Sequence, residues 1–187
     1  MAHRVCPWWL GYVLINPLRR LWQDPRKILA PFVREGMTVL EPGPGMGFFT
    51  LELAHLVGAS GRVIALDLQP KMLDRLKRRL AKAGLLERVN IRLVRPESMG
   101  LTDLTRFVDF ALAFAVVHEM PSASSFFGEL SRSLKRGGHL LLAEPKGHVK
   151  EGHFDAELEV ASQGGLIVVD RPHIRHSLTA LLTIRNG

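Results

Sequence analysis

A chain of 187 residues with 47% hydrophobic side chains holds one well-cored domain and is too short for two ordinary ones. Charged residues at 23% and a mean hydropathy of +0.09 exclude a disordered chain. A single cysteine, Cys6, excludes an internal disulfide framework and a multi-cysteine zinc site. The net charge of +7 raises the question of an anionic partner.

The apolar stretch Val5 to Ile15 is too short to span a bilayer, and no small-residue cleavage site follows it, so a cytoplasmic protein without a transmembrane segment is expected. Residues 8–22 carry a helical pattern with Trp8, Trp9, Tyr12, Leu18, Leu21 and Trp22 as bulky contacts. Asp24-Pro25 then reads as an N-cap followed by proline at the first helical position, opening a helix to about Arg34. Residues 1–35 are therefore expected to form a helical lid or cap, and 36–187 the main domain. Three readings of the Trp-rich segment stay open. It packs on the domain or a second subunit, giving a homodimer through the N-terminal helices. It roofs a site for an aromatic or lipid-like acceptor. Or it attaches to an interface, with Arg19 and Arg20 facing acidic lipid.

The next segment is the most informative. A strand over 37–41 ends in Glu41, followed by Pro42-Gly43-Pro44-Gly45-Met46-Gly47-Phe48 and a helical pattern over about 46–57. A second strand, 62–67, ends in Asp67. Glycines let backbone approach a ligand where a Cβ would collide, and an acid after the second strand suits the two hydroxyls of an adenosine ribose. The dinucleotide fingerprint fails, because its third glycine would be Phe48, or Thr50 if counted from Gly45. Glu41 would repel a pyrophosphate and suits a cofactor bearing a cationic amine and a sulfonium.

Strand and helix alternate to the end, the mark of a parallel sheet. A helix over 70–83 stops at Gly84. Its apolar face is Met72, Leu73, Leu76, Leu80 and Ala83, and Lys71, Arg75, Lys77, Arg78, Arg79 and Lys82 form the outer side, read as a solvated face ahead of a nucleic-acid patch. Strands follow at 89–94 and 107–113, then a helix from Pro121 to Leu134 ended by Gly137-Gly138, a strand at 139–144, a helix over 151–163, and strands at 166–171 and 177–184.

From about Pro25 to its C-terminus the chain resembles the class I S-adenosylmethionine-dependent methyltransferases, on the strength of Glu41 to Gly47, Asp67 and the closing strand pair. The resemblance implies an α/β fold with a Rossmann-like, seven-stranded, mostly parallel sheet, an antiparallel last strand and helices on both faces. It implies S-adenosyl-L-methionine as cofactor, with Glu41 at the methionine amine, Gly43, Gly45, Gly47 and Phe48 along the methionine portion, and Asp67 at the ribose. Leu68 and Met72 would flank the adenine. Arg95-Pro96-Glu97-Ser98 stands where the family usually shows Gly-Asp-Ala, making Glu97 the candidate acceptor of the adenine amino group with Ser98 beside it. Phe114 and Ala115 would pass the sulfonium.

Candidates for chemistry cluster after the fourth and fifth strands, where ligands of open α/β sheets bind: His118, Glu144 and His148. No metal site is expected. No Asn-Pro-Pro-Tyr or Pro-Cys motif is present, and Val116-Val117-His118-Glu119-Met120 with Leu134-Lys135-Arg136-Gly137-Gly138 resembles the small-molecule, ubiquinone/menaquinone-biosynthesis-like branch. The expected function is methyl transfer to a small, hydrophobic acceptor. The alternatives are an RNA methyltransferase, prompted by the basic charge, and a catalytically silent cofactor-binding regulatory protein.

Overall fold

The computed structural model describes residues 17–185, in two compact units that divide between Val94 and Arg95. Cys6, Trp8, Trp9 and Tyr12 lie outside the described residues, while Leu18, Leu21 and Trp22, from the same N-terminal segment, are exposed.

In the first unit, Pro17–Leu21 form a short 3-10 turn. Asp24 then caps helix α1 (Pro25–Leu29), its Oδ1 accepting the Arg26 N–H at 3.0 Å. This helix is shorter than its sequence pattern suggests: residues 31–34 turn away, since Pro31 has no N–H for a further helical bond. Strand β1 (Thr38–Pro42) is buried at every position, runs parallel to β2 (Arg62–Asp67), and β2 runs parallel to β3 (Val89–Leu93). Such continuous burial is what a parallel strand covered on both faces requires. Helices α2 (Thr50–Leu56) and α3 (Pro70–Ala83) bury Leu53 and Ala54, and Met72, Leu73, Leu76 and Leu80. Helix α2 starts at Thr50 rather than at residue 46, because Gly45 and Gly47 adopt φ of +54° and +83°, outside the right-handed helix. On α3, Lys71, Arg75, Lys77, Arg78 and Lys82 are exposed as expected. Arg79 is not part of that solvated face. It is half-buried and its guanidinium donates to the Met46 carbonyl in the glycine loop.

In the second unit, β4 (Val108–Phe114) runs parallel to β5 (Leu134–Pro145). Strand β7 (Ser177–Ile184) pairs antiparallel with β5 on one side and with β6 (Leu166–Asp170) on the other. Ser122 caps α4 (Ala123–Ser133), accepting the Ser125 N–H at 3.1 Å, and α5 (Glu151–Gln163) precedes β6. Gly137-Gly138 do not end a helix, contrary to the sequence reading. Helix α4 stops at Ser133 and both glycines lie inside β5. A Cβ on Gly138 would stand 3.0–3.1 Å from the carbonyls of Lys135, Asp109 and Val108, so this glycine permits close approach of β4 and β5.

Among the described residues, seven strands lie in the order β3-β2-β1-β4-β5-β7-β6. The mostly parallel α/β sheet with its antiparallel close agrees with the sequence reading. Among the described residues no helix is long and apolar enough to cross a membrane.

Candidate active site

The candidate residues fall into two groups, one in each unit. In the first, β1 and β2 deliver a carboxylate each. Glu41 is 3% exposed, and its Oε2 is buried with no hydrogen-bond partner. Burial pushes its carboxyl up to about 8; the neighbouring Thr50 hydroxyl works against that, and the charge of Asp67 adds to it. Asp67 is buried, and its Oδ1 accepts the Gln69 N–H at 2.9 Å. An acid desolvated this far and short of a partner fits a cationic group in the site, and fits a pyrophosphate badly.

The loop between these acids is held from several sides. The Gly43 N–H donates to the Leu66 carbonyl at 2.8 Å, which ties the loop to β2. A Cβ on Gly47 would fall onto Leu76 Cδ1 and lie 3.1 Å from Leu51 Cδ1, so the turn packs against α3 only with glycine there. At Gly45 a Cβ would meet nothing within 4 Å, so this stretch borders open space. Phe48 is buried edge-on against Phe49, and the Arg19 guanidinium stands 4.2 Å above its ring centroid. Arg19 therefore does not face outward toward lipid, and its burial lowers its pKa to about 10. Leu68 is half-buried just after β2, and Met72 is buried on the apolar face of α3.

In the second unit, Glu144 near the end of β5 is completely buried. Its Oε1 accepts the Val117 N–H at 2.8 Å and its Oε2 lies 2.5 Å from His118 Nδ1. Both carboxylate oxygens thus fix the 3-10 turn Val117–Glu119 that follows β4. Burial alone would lower the His118 pKa. The Glu144 hydrogen bond and the charges of Glu144, Glu119 and Glu157 outweigh that effect and raise it. The His148 ring meets the His118 ring at 63° with centroids 5.9 Å apart, and His148 is exposed. Phe114 ends β4 half-buried. Ala115 takes φ of +56°, with its N–H donating to the Ala143 carbonyl at 2.7 Å, a strained backbone that costs about 1–2 kcal/mol.

Two residues, Glu157 and Glu129, escape the sequence reading, and two more, Arg79 and Arg19, make contacts other than those it gave them. Arg79 falls seven positions after Met72 and so on nearly the same edge of α3, a signal that it borders the apolar stripe. Glu157 sits among Phe154, Leu158 and Ala161 on the buried face of α5, a legible sign of an acid in an apolar place. Burial raises its carboxyl to about 7, Glu144 adds to the rise and His118 opposes it. Neither Glu157 oxygen has a hydrogen-bond partner, though exposed His153 lies 3.4 Å away. Glu129 and Arg19 act over contacts that no local pattern announces. Glu97 and Ser98 are exposed in the loop after β3, where Ser98 Oγ donates to Glu129 at 3.3 Å. Among the described residues, no three His, Cys, Asp or Glu side chains are arranged to hold a metal ion.

A methyltransferase-domain family matches residues 33–176. The chain is 32% identical over 127 residues to the ubiquinone/menaquinone biosynthesis C-methyltransferase of Marinomonas sp. and 30% identical to that of Klebsiella pneumoniae, covering 68% of this chain and 49% of each relative. It therefore spans about half the length of these curated relatives. A crystal structure of an S-adenosylmethionine-dependent methyltransferase from Aquifex aeolicus superposes with a TM-score of 0.82 at 27% identity, covering 96% of this chain and 100% of that one. A Methanococcus maripaludis structure at 14% identity, with a TM-score of 0.79, shares the fold. The chain belongs to the S-adenosylmethionine-dependent methyltransferase-domain family. S-adenosylmethionine is accordingly its cofactor.

Proposed function

We propose that this domain methylates a small, hydrophobic acceptor that gives up a proton, with His118 taking that proton and Glu144 orienting the ring. The observation that carries this reading is the buried carboxylate of Glu144. It grips His118 Nδ1 at 2.5 Å and the Val117 N–H at 2.8 Å, which leaves Nε2 as the working nitrogen. The cofactor supplies an activated methyl group on a sulfonium, so the protein's share is positioning, exclusion of water and handling of the proton. Glu41 would hold the methionine amine, the backbone at Gly43, Gly45 and Gly47 with Phe48 would line the methionine portion, and Asp67 would take the ribose hydroxyls. Leu68, Met72, Glu97 and Ser98 would serve the adenine, and Phe114 and Ala115 the sulfonium. His148 would close the acceptor side of His118. Residues 1–35 would act as a cap, an arrangement supported by the Arg19 guanidinium resting on Phe48.

The kinship with ubiquinone/menaquinone biosynthesis C-methyltransferases favours an acceptor of the quinone class, where deprotonating a ring hydroxyl activates the ring carbon. An RNA acceptor is disfavoured by the carboxylates of Glu119, Glu144 and Glu157 acting on His118, despite the overall charge of +7. Incubation with methyl-labelled cofactor and the small-molecule and RNA fractions of the native cell tests the reading. Label in small metabolites supports it. Label confined to RNA overturns it, and binding of cofactor with no labelled product in either fraction favours a silent regulatory protein.

A further inference from the structure

The loop that follows β3 has no regular structure, yet one distant side chain pins it. Glu129, on α4, accepts the Met99 N–H at 3.1 Å through Oε1. Its Oε2 accepts the Leu101 N–H at 3.4 Å and the Ser98 hydroxyl at 3.3 Å. Ser98 Oγ in turn accepts the Gly100 N–H at 3.0 Å, and Arg95 and Ser98 form an isolated antiparallel bridge. Three donors from a four-residue stretch thus converge on one carboxylate about 30 positions away in sequence, and the tip they hold carries Glu97. Hydrogen bonds to an ionised acceptor are about twice as strong as neutral ones, and two of these three fix backbone directly.

We propose that Glu129 is a positioning residue for base recognition: it holds the 97–101 loop so that Glu97 meets the amino group of the cofactor's adenine. This rests on the reading of Glu97 as the adenine acceptor. Glu129 itself touches no part of the cofactor in this assignment. It converts an exposed glutamate on an irregular loop, which would lose much of its binding energy to ordering, into a fixed acceptor that discriminates an amino from an oxo substituent.

The test compares S-adenosylhomocysteine with S-inosylhomocysteine by calorimetry on the full chain, using wild type, Glu97→Ala and Glu129→Gln. A purely structural Glu129 would weaken both ligands alike, so the ratio of the two affinities is the readout. Loss of a charge-assisted bond predicts a fall of about tenfold or more in that ratio for Glu97→Ala and a comparable fall for Glu129→Gln. A fall in Glu97→Ala alone overturns the role of Glu129 and leaves the adenine reading standing. An unchanged ratio in both variants overturns the adenine reading and the inference with it. Should Glu129→Gln not fold, amide exchange in the wild type decides. Slowing at Met99 and Leu101 with S-adenosylhomocysteine but not with S-inosylhomocysteine supports the proposal, and equal exchange with both ligands overturns it.

Discussion

Glu41 and His118 show opposite uses of burial. Glu41 holds a proton up to about pH 8 because its surroundings penalise the charge. Since the ordinary value is 4.5, the folded chain binds more protons than the unfolded one between those limits, and stability falls as pH rises through that window. Glu41→Gln should therefore raise the melting temperature of the cofactor-free protein at pH 8–9 and change it little near pH 4, as calorimetric scans would show. The same variant should weaken S-adenosylmethionine by about tenfold to a hundredfold, the worth of a charge-assisted bond. For His118 the net shift is upward, so the neutral imidazole that accepts a proton grows in as pH rises above 6.5. Turnover should climb with pH through that raised value. Glu144→Gln should move the rise to lower pH, and His118→Ala should cut kcat by about a hundredfold or more. Rates with an identified acceptor across a pH series check all three. The acids near the ends of β1 and β2 were legible in sequence because each closes an apolar run. The grip of Glu144 on His118 was readable only as a candidate, since a separation of 26 positions along the chain carries no information on distance.

At the scale of elements, the glycine turn matters most. Gly47 combines φ of +83° with a Cβ position already filled by Leu76. Gly47→Ala should cost about 3 kcal/mol from backbone strain plus overlap, seen as a lower denaturation midpoint with an unchanged slope. Ser122→Ala should cost about 1 kcal/mol by removing the cap of α4. Periodicity located β2, α3, β3 and α5 to within a residue or so. It misread Gly137-Gly138, because glycine marks a helix end and a close strand approach equally well in a single sequence. It also extended α1 and α2 into turns that proline and left-handed glycines forbid.

For the whole molecule, a ligand that binds only the folded chain stabilises it by mass action. S-adenosylhomocysteine at about a hundred times its Kd should add about 2.7 kcal/mol, a rise in Tm of about 5–10 °C for a chain of this size. NAD should produce no shift, and thermal denaturation with both ligands distinguishes the two. The excess of positive charge has a plainer consequence than nucleic-acid recognition. Lys71, Arg75, Lys77, Arg78 and Lys82 share the exposed side of α3, so solubility rather than cofactor affinity should respond to salt.

Strand β7 completes the sheet although it is made after the other six described strands. It fills the gap beside β5 from Pro145↔Ser177 to His139↔Thr183, and it alone joins β6 to that neighbour. On the ribosome, the edge formed by Leu140, Leu141 and Leu142 stays open until Ser177–Ile184 has left the exit tunnel. During translation that bare flank is a template for other nascent polypeptides, and pausing within residues 177–184 would prolong the exposure.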